Sequence, residues 1–265
     1  MPYPWFAMIS STHNAKIQWV RSLQSRSRER REASAFVVEG VRLAEEALQV
    51  TWNAHLLLYT SDLEPRGQAV VNGFAARGVP VEAVAPHIMS AASDTQTPQG
   101  LLVVLEMRSL PEPQQPDFVL IPDGVRDPGN LGGMLRSAAA AGCSLVCLPE
   151  GTVDVYSPKV VRAAMGAHFR LPLFTGSWQE IADLIQQAGL NVFLAAAGQG
   201  SLYTQADFCQ PTTIIVGGEA AGAGASAKTL AHTQVHIPMP GGSESLNAAA
   251  AAAILLFEVV RQRRK

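Results

Sequence analysis

Five short runs in the second half of the chain are almost entirely apolar or β-branched, and they constrain the fold more than any other feature. These runs are Phe118–Ile121, Leu145–Leu148, Val192–Ala195, Thr213–Val216 and Val235–Ile237. A strand without alternation of polar and apolar residues is buried on both faces, as in parallel sheets covered by helices. Stretches with helical periodicity separate the runs: Leu131–Ala141, Pro158–Met165, Trp178–Ala188 and Leu246–Gln262. The sequence therefore predicts an α/β domain with a mostly parallel sheet.

The first hundred residues show the same alternation with shorter elements, which predicts a smaller α/β domain. Its strands are predicted at Phe36–Val38, Leu56–Tyr59, Val79–Val84 and Leu101–Leu105. Its helices are predicted at Val41–Gln49 and at Gln68–Arg77, where Gly78 ends the second one.

Three prolines within Ser109–Pro116 mark the clearest boundary in the chain. Proline removes a backbone donor and fixes φ, so neither a helix nor a central strand persists there. We therefore predict an N-terminal domain at 1–107, a linker at 108–116 and a C-terminal domain at 117–265.

Composition excludes several classes of protein. Hydrophobic residues make up 48% of the 265 residues and charged residues 16%, which is unlike a disordered chain. The longest apolar run, Ala248–Phe257, is too short to cross a bilayer, and the N-terminus lacks the regions of a secretory signal. Three cysteines cannot form a disulfide framework. These features predict a cytoplasmic protein without a membrane partner.

One segment near the N-terminus is strongly basic, although the net charge of the chain is −2. Its cations could bind phosphates, but a run of charge is also typical of a solvated helix face, and both interpretations stay open. The cations of this basic segment are Lys16, Arg21, Arg26, Arg28, Arg30 and Arg31. The C-terminal tail, Arg261–Lys265, forms a second cluster, which would equally suit the negative end of a helix dipole.

Three glycine-rich segments follow predicted strands of the C-terminal domain. They are Asp123–Arg136, Ile214–Gly224 and His236–Asn247. Ligands bind at the edge of a parallel sheet where the carboxyl ends of its strands meet. Glycine lets a backbone loop close around a ligand, and a glycine-rich helix start presents free N–H groups. We therefore expect the three segments to form one ligand site.

Each segment contributes specific polar side chains. In the first, Asn130 is expected to open a helix, and Arg136 follows less than two turns later. The second segment carries one carboxylate, Glu219, and the third brings Asn247 and Ser245, which is interpreted as an N-cap. Taken singly, each side chain could be a cap or a solvent-facing group. Only their convergence indicates a site.

The spacing of the glycines argues against two nucleotide-binding motifs. Gly129, Gly132 and Gly133 do not fit the G-x-G-x-x-G pattern of a dinucleotide-binding fold, and no P-loop pattern is present. An NAD-dependent oxidoreductase is therefore disfavoured. Cys143 and Cys147, expected within one buried strand, suit core thiols better than metal ligands, and no metal site is predicted.

The three segments resemble, in order, the three motifs of the SpoU (TrmH-like) RNA ribose 2′-O-methyltransferases of the SPOUT superfamily. The most specific matches are IPMPGGSESLNAAAAAA in the third segment and DPGNLGGMLRSAAAAG in the first. The resemblance extends from about residue 117 to 261. The stretches STHNAKI, FVVEGVR (36–42) and TPQG (97–100) also resemble the family's N-terminal substrate-binding domain.

The resemblance implies a deep trefoil knot in the catalytic domain, S-adenosylmethionine bound in that knot, and a homodimer packed through the knots. It implies catalytic roles for Asn130, Arg136, Glu219, Ser245 and Asn247. It implies cofactor contacts, largely through backbone, for Gly217, Gly218, Glu219, Ile237, Met239, Ser245 and Leu246. Gly218 departs from the family pattern, in which asparagine is common, and a changed loop contact is expected there.

The implied activity is methyl transfer to a ribose 2′-hydroxyl of RNA, and the type of N-terminal domain favours ribosomal RNA over tRNA. Arg136 is the family's candidate for drawing the proton from the hydroxyl. Because a guanidinium stays protonated in proteins, a bidentate phosphate clamp that orients the ribose is the alternative. The residues expected to contact RNA are Lys16, Arg21, Arg28, Arg30 and Arg31. A tRNA ribose methyltransferase and a non-catalytic RNA-binding or ribosome-assembly factor are the competing functions, and the complete set of motif residues argues against the latter.

Overall fold

The computed structural model describes residues 8–219 and 222–264, which form two compact units. The N-terminal unit runs up to Arg108 and takes in Tyr156–Arg162. The C-terminal unit consists of Ser109–Val155 and Ala163–Lys265. No helix within the described ranges is long and apolar enough to cross a membrane.

Parts of three sequence predictions lie outside the described residues. These parts are the N-terminus 1–7, Ala220 and Ala221 of the second glycine-rich segment, and Lys265 of the basic tail.

The N-terminal unit contains a mixed sheet of four strands. Its strands are β1 (Ala35–Glu39), β2 (Ala54–Tyr59), β3 (Val81–Ala83) and β4 (Leu101–Glu106). Its helices before residue 108 are α1 (Ala15–Ser25), α2 (Ser27–Ala33), α3 (Val41–Gln49), α4 (Pro65–Ala76) and α5 (Pro86–Ala92). The strand order is β1-β4-β2-β3, in which β4 is antiparallel to both of its neighbours and β2 is parallel to β3.

Helices cover both faces of this sheet. Ile17, Val20 and Leu23 of α1 are fully buried and share a core with α5 and with one face of the strands. On the other face, where side chains alternate with that set, Leu57 and Val103 are buried and the strands contact α3 and α4. The predicted small α/β domain is therefore present, with three helices that the sequence analysis had not placed: α1, α2 and α5.

The C-terminal unit contains seven strands whose pairings are all parallel. The strands are β5 (Phe118–Asp123), β6 (Leu145–Pro149), β7 (Leu173–Gly176), β8 (Asn191–Ala195), β9 (Ser201–Leu202), β10 (Thr212–Gly217) and β11 (Thr233–His236). The helices are α6 (Pro128–Ala141), α7 (Pro158–Ala164, most of which belongs to the N-terminal unit), α8 (Trp178–Gln187), α9 (Ala225–Leu230) and α10 (Ala248–Arg263). All five predicted apolar runs form strands, which confirms the mostly parallel α/β architecture.

The strand order, β7-β6-β5-β10-β8-β11-β9, places β5 and β10 side by side at the centre of the sheet. Asp123 at the end of β5 lies opposite Gly217 at the end of β10. One face packs against Ile181 and Ile185 of α8 and Ala227 of α9, while α10 packs against α6 and against β10. The three glycine-rich segments therefore leave the sheet from its carboxyl edge, as predicted.

Two helices start at different residues from those predicted. The first residue of α6 is Pro128. Asp127 is the N-cap, and its Oδ1 accepts the Asn130 N–H at 2.9 Å. Proline suits the position directly after the N-cap, where a helix needs no N–H. The N-cap of α10 is Asn247, whose Oδ1 accepts the N–H groups of Ala249 and Ala250. Asn130 therefore lies inside the first turn of α6, and the N-cap interpretation of Ser245 was wrong.

A buried histidine should make the stability of the C-terminal unit depend on pH. His168 is buried, its Nε2 bonds to the Val155 carbonyl at 2.8 Å, and burial lowers its pKa from 6.5 to about 4. Because the folded state favours the neutral ring, the contribution of His168 to the free energy of unfolding is fully present above pH 6.5. This contribution decreases by about 3 kcal/mol as the pH falls towards 4. Denaturant unfolding at pH 7 and pH 4.5 should show a smaller loss of unfolding free energy in His168→Gln than in the wild type. Equal losses would contradict the assignment.

Candidate cofactor and catalytic site

Two of the three glycine-rich segments line a cavity of about 340 Å³ at the carboxyl edge of the parallel sheet. Every residue that the resemblance assigned to the cofactor lies in its wall: Gly217, Gly218, Glu219, Ile237, Met239, Ser245 and Leu246. Two parts of the wall were not predicted from the sequence: Ala195–Gly198, at the end of β8 and directly after it, and Ala248, Ala251 and Leu255 of α10. The first segment does not line the cavity, so it supports the site without forming its surface.

The cavity wall combines apolar and acidic groups. Val216, Ile237 and Leu255 supply apolar surface, whereas Glu219 and Glu244 supply carboxylates. The volume lies within the range of small-molecule sites, and carboxylates favour a ligand that carries positive charge. S-adenosylmethionine combines a flat base with a sulfonium cation, so the chemistry of the wall fits the implied cofactor.

The backbone packs so closely around Gly217 and Gly218 that neither position has room for a side chain. A Cβ atom on Gly218 would lie 2.6 Å from the carbonyl oxygen of Gly124, and one on Gly217 would overlap the backbone of Gly222 and Ala223. Gly222, at φ +63°, donates its N–H to the Gly218 carbonyl at 3.0 Å. The loop therefore presents bare backbone to the cavity. The close approach of Gly124 explains why glycine, and not asparagine, stands at 218.

Asp123 is a residue of this site that the sequence analysis missed. Its side chain is only 7% exposed, and its Oδ2 accepts the Gly224 N–H at 2.6 Å. Its backbone carbonyl accepts the Gly218 N–H at 2.9 Å. Asp123 thus fixes both ends of the loop that forms the cavity wall. The sequence pattern that could have identified Asp123 is an acidic residue at the end of an otherwise apolar strand, directly before a glycine.

The polar residues of the first and third segments meet. The Nδ2 of Asn247 donates to the Oδ1 of Asn130 at 2.8 Å, and Asn130 is buried. Asn247 stands between Leu246 and Ala248, which both line the cavity. Because Asn247 caps α10 and Asn130 lies in the first turn of α6, this bond fixes the starts of two helices beside the cavity.

Arg136 is the one predicted catalytic residue that the structure does not bring to this cluster. Its side chain is exposed on α6, outside the cavity wall, and makes no hydrogen bond or ion pair with the described part of the chain. One turn earlier, Gly133 allows α10 to approach, since a Cβ there would lie 3.0 Å from the Cβ of Ala249. The helix carrying Arg136 is therefore firmly packed, while its guanidinium stays available for a ligand.

The basic segment folds into α1 and α2, and its cations differ in their surroundings. Lys16 is paired with Glu82, and Arg28 with Glu32 at 2.6 Å. Arg21 and Arg31 are exposed and have no side-chain partner among the residues that the structure covers. These four residues remain candidates for contact with RNA.

Arg30 does not fit the predicted RNA-binding role. It is only 4% exposed, and its guanidinium donates to the carbonyl oxygen of Leu23 at 2.5 Å, near the end of α1. Its guanidinium therefore donates hydrogen bonds within the N-terminal unit, to carbonyl groups that have no partner within the helix because they lie at its end.

The thiols match their predicted role as core residues. Cys143 and Cys147 are both buried, although Cys143 lies in the turn before β6 and not in the strand. Burial raises the pKa of the Cys147 thiol to about 12, with the Glu112 carboxylate adding to the shift, and burial also raises the pKa of Cys143. Both stay protonated and unreactive at neutral pH. Within 8–219 and 222–264, no group of three His, Cys, Asp or Glu side chains could hold a metal ion.

Two family models match the chain, one in each half of the sequence. The model described as the SpoU rRNA Methylase family matches residues 117–257. The chain belongs to the SpoU rRNA methylase family. A second model, the MRM3-like substrate binding domain, matches residues 14–103 of this SpoU family member.

Individual relatives resemble this SpoU family member over almost its whole length. The 23S rRNA (guanosine(2553)-2′-O)-methyltransferase RlmP of Bacillus subtilis is 32% identical over 259 residues, which cover 95% of this chain and 98% of the relative. The 23S rRNA (uridine(2479)-2′-O)-methyltransferase of Streptomyces viridochromogenes is 34% identical over 270 residues, covering 96% and 92%. The solved structure of an AdoMet-bound rRNA methyltransferase from Sinorhizobium meliloti has a TM-score of 0.87 at 30% identity, covering 97% of this chain and 98% of that one.

These findings confirm the family and the enzyme class expected from the three motifs. The SpoU family member is an RNA 2′-O-methyltransferase, and its cofactor is S-adenosylmethionine.

Proposed function

We propose that the protein methylates a ribose 2′-hydroxyl of ribosomal RNA, with S-adenosylmethionine held in the cavity between the second and third glycine-rich segments. One observation carries the proposal: all seven residues expected to contact the cofactor line the same cavity. Both relatives described above are named as methyltransferases of 23S rRNA. The match of residues 14–103 to a substrate-binding domain further supports ribosomal RNA as the substrate.

The chain's own residues position the reactants. When bound, S-adenosylmethionine supplies an electrophilic methyl group, so that alignment of the attacking oxygen accounts for much of the rate. The bare backbone of Gly217 and Gly218 and the apolar side chain of Ile237 would hold the cofactor, and Glu219 would favour its positive charge. Asn130 and Asn247 act as positioning residues, because their mutual bond fixes the helix starts beside the cavity.

For Arg136 we favour a phosphate clamp over a general base. The guanidinium is exposed and without a partner among the described residues, so it can take a phosphate in bidentate geometry. Removal of a proton from the hydroxyl by a group that stays protonated in proteins is chemically harder. A clamp on the phosphate beside the target ribose would set the direction from which its 2′-oxygen approaches.

The homodimer and the trefoil knot are further parts of this proposal. Phe257 of α10 is 48% exposed and Leu246 beside the cavity is 36% exposed, so a second copy packed there would bury apolar surface. Sedimentation analysis at micromolar concentration tests the dimer, and a purely monomeric protein that retains activity would contradict it.

The proposal is tested with ribosomal RNA from a strain that lacks the gene. The purified protein and labelled S-adenosylmethionine should methylate this RNA at a single ribose, detected as one backbone bond that becomes resistant to alkaline hydrolysis. Wild-type ribosomal RNA, already modified at that site, should accept almost no label. Methylation of a base, or of tRNA alone, would overturn the assignment. Gly217→Val, which blocks the cofactor loop, is the negative control.

A further inference from the structure

The N-terminal unit contains a cavity of about 550 Å³, and the function proposed above does not use it. Its wall includes Val41 and Arg42 at the start of α3 and Pro98, Gln99 and Gly100 before β4. These residues come from the two stretches, 36–42 and 97–100, that stood out in the sequence of this domain. Two segments more than fifty residues apart thus meet in one wall.

Glycines at the junction of the two stretches make this wall possible. Gly40 has φ +98° and Gly100 has φ +74°, both in the left-handed region that glycine adopts without strain. A side chain on Gly40 would overlap the Gln99 carboxamide, and a Cβ on Gly100 would lie 2.5 Å from the Thr60 Oγ1. The buried Thr60 donates both its N–H and its hydroxyl to the Gly100 carbonyl, at 2.9 and 3.3 Å. The loop that carries Gln99 is therefore held in place.

The cavity combines the two kinds of surface that a nucleotide needs. Val41, Leu63, Met89 and Pro98 provide apolar wall for the faces of a base. Gln99, whose carboxamide has no partner in the described structure, offers both a donor and an acceptor to a base edge.

Charged groups complete the wall. Asp62 and Glu64 have no side-chain partner among the described residues and add two carboxylate acceptors. The side chains of Arg42 and Arg66 are exposed, and their ion-pair partners among the described residues are the partly buried Glu46 and Glu45. Because both arginine side chains remain 62% exposed, each guanidinium has N–H donors left for a phosphate beside the carboxylate it already contacts.

We propose that this cavity binds one unstacked nucleotide of single-stranded RNA, with the base against Val41 and Met89 and its phosphate at Arg42 or Arg66. Proteins read RNA sequence mainly through bases that are splayed out of loops and bulges, and a volume of 550 Å³ accommodates a nucleotide. The inference rests on the proposed function, since it names the part of the N-terminal unit that recognises the RNA substrate.

A cavity beside α1 is less suited to a base. It is lined by hydroxyl, amide and charged groups, among them Arg21 and Arg26, and its apolar residues are two alanines. That surface suits backbone phosphates, which position an RNA without reading it. The two surfaces therefore have different roles within one unit.

Two matched pairs of variants of the full-length protein test the nucleotide site. Arg66→Glu at the start of α4 changes the same charge as Arg77→Glu at its end, but only Arg66 lines the cavity. Ser90→Trp would fill the cavity, whereas His87→Trp adds a similar ring one turn earlier on α5, outside the wall. Affinity for a mixed-sequence single-stranded RNA heptamer, measured by fluorescence anisotropy, should fall at least tenfold in Arg66→Glu and Ser90→Trp. It should change less than twofold in the two controls.

Crosslinking provides an independent readout. A heptamer with 4-thiouridine at one position should crosslink to peptides containing residues 40–42 or 98–100, and an RNA duplex should not compete. Affinity for S-adenosylmethionine and the unfolding temperature should match the wild type in all four variants. Equal affinities in the cavity variants and their controls, while ribosomal RNA is still methylated, would overturn the nucleotide site and leave the proposed function intact. A wild-type protein that neither binds the heptamer nor methylates ribosomal RNA would overturn both.

Discussion

Arg136→Ala is expected to lower the rate of ribose methylation at least about 100-fold, because misplacing a reacting group or losing one charged contact to it costs this much. The guanidinium lies outside the cavity wall and has no partner within the described ranges. Its removal should therefore leave both the affinity for S-adenosylmethionine and the stability of the fold unchanged. Single-turnover kinetics with saturating cofactor measure the rate, and calorimetry measures the affinity.

The lysine variant shows what kind of contact Arg136 makes. Lysine keeps the charge but cannot form two parallel hydrogen bonds to one phosphate. Arg136→Lys should therefore be impaired almost as strongly as Arg136→Ala. Substantial methylation by the lysine variant, with normal cofactor affinity, would exclude both a bidentate clamp and an essential arginine base.

Gly218→Asn is expected to weaken S-adenosylmethionine binding about tenfold to a hundredfold, although asparagine is common at this position in the family pattern that the sequence resembles. A Cβ at 218 would lie 2.6 Å from the Gly124 carbonyl oxygen, and relief of this overlap requires a backbone shift. Overpacking of this kind costs about 1–3 kcal/mol. The shift would move the loop that Asp123 fixes and would displace the cavity wall.

Gly241→Asn is the matched control for this prediction. Gly241 belongs to the third glycine-rich segment, its φ is not positive, and a Cβ there would meet no atom within 4 Å. Isothermal titration of both variants with S-adenosylmethionine should show near wild-type affinity for Gly241→Asn only. If Gly218→Asn binds as tightly as the wild type, the close contact with Gly124 does not restrict the loop.

The central strands could be predicted because burial leaves a mark on composition. β5, β6, β8 and β10 are covered on both faces, so the interiors of these strands are apolar or β-branched, and each strand was predicted to within one or two residues. The edge strands β7 and β9 were not found, because a short edge strand such as Ser201–Leu202 has little buried surface to mark it. In α1, the buried Ile17, Val20 and Leu23 follow helical spacing, but the surrounding charges obscured the pattern.

The candidate site was predictable in its residue types but not in its contacts. The glycines and polar side chains of the second and third segments indicated a cavity, and these segments do line one. The bond between Asn130 and Asn247 spans 117 positions in sequence, and the contact between Gly218 and Gly124 depends on strand order. Neither contact can be predicted from the local sequence pattern. Arg30 looked like its neighbours in the charge run, and only the path of α1 shows why it is buried.

The residues of the cofactor cavity wall all lie late in the sequence, and this has a consequence for the chain during translation. Every residue of that wall lies between Ala195 and Leu255, whereas the sheet of the N-terminal unit is complete by Glu106. A nascent chain therefore contains every strand of the N-terminal sheet long before it contains every residue of the cofactor cavity. Contacts between distant positions also form slowly, since loop closure precedes them. A polypeptide released before Leu255 would consequently lack part of the cavity wall, so uptake of S-adenosylmethionine would report that translation has reached α10.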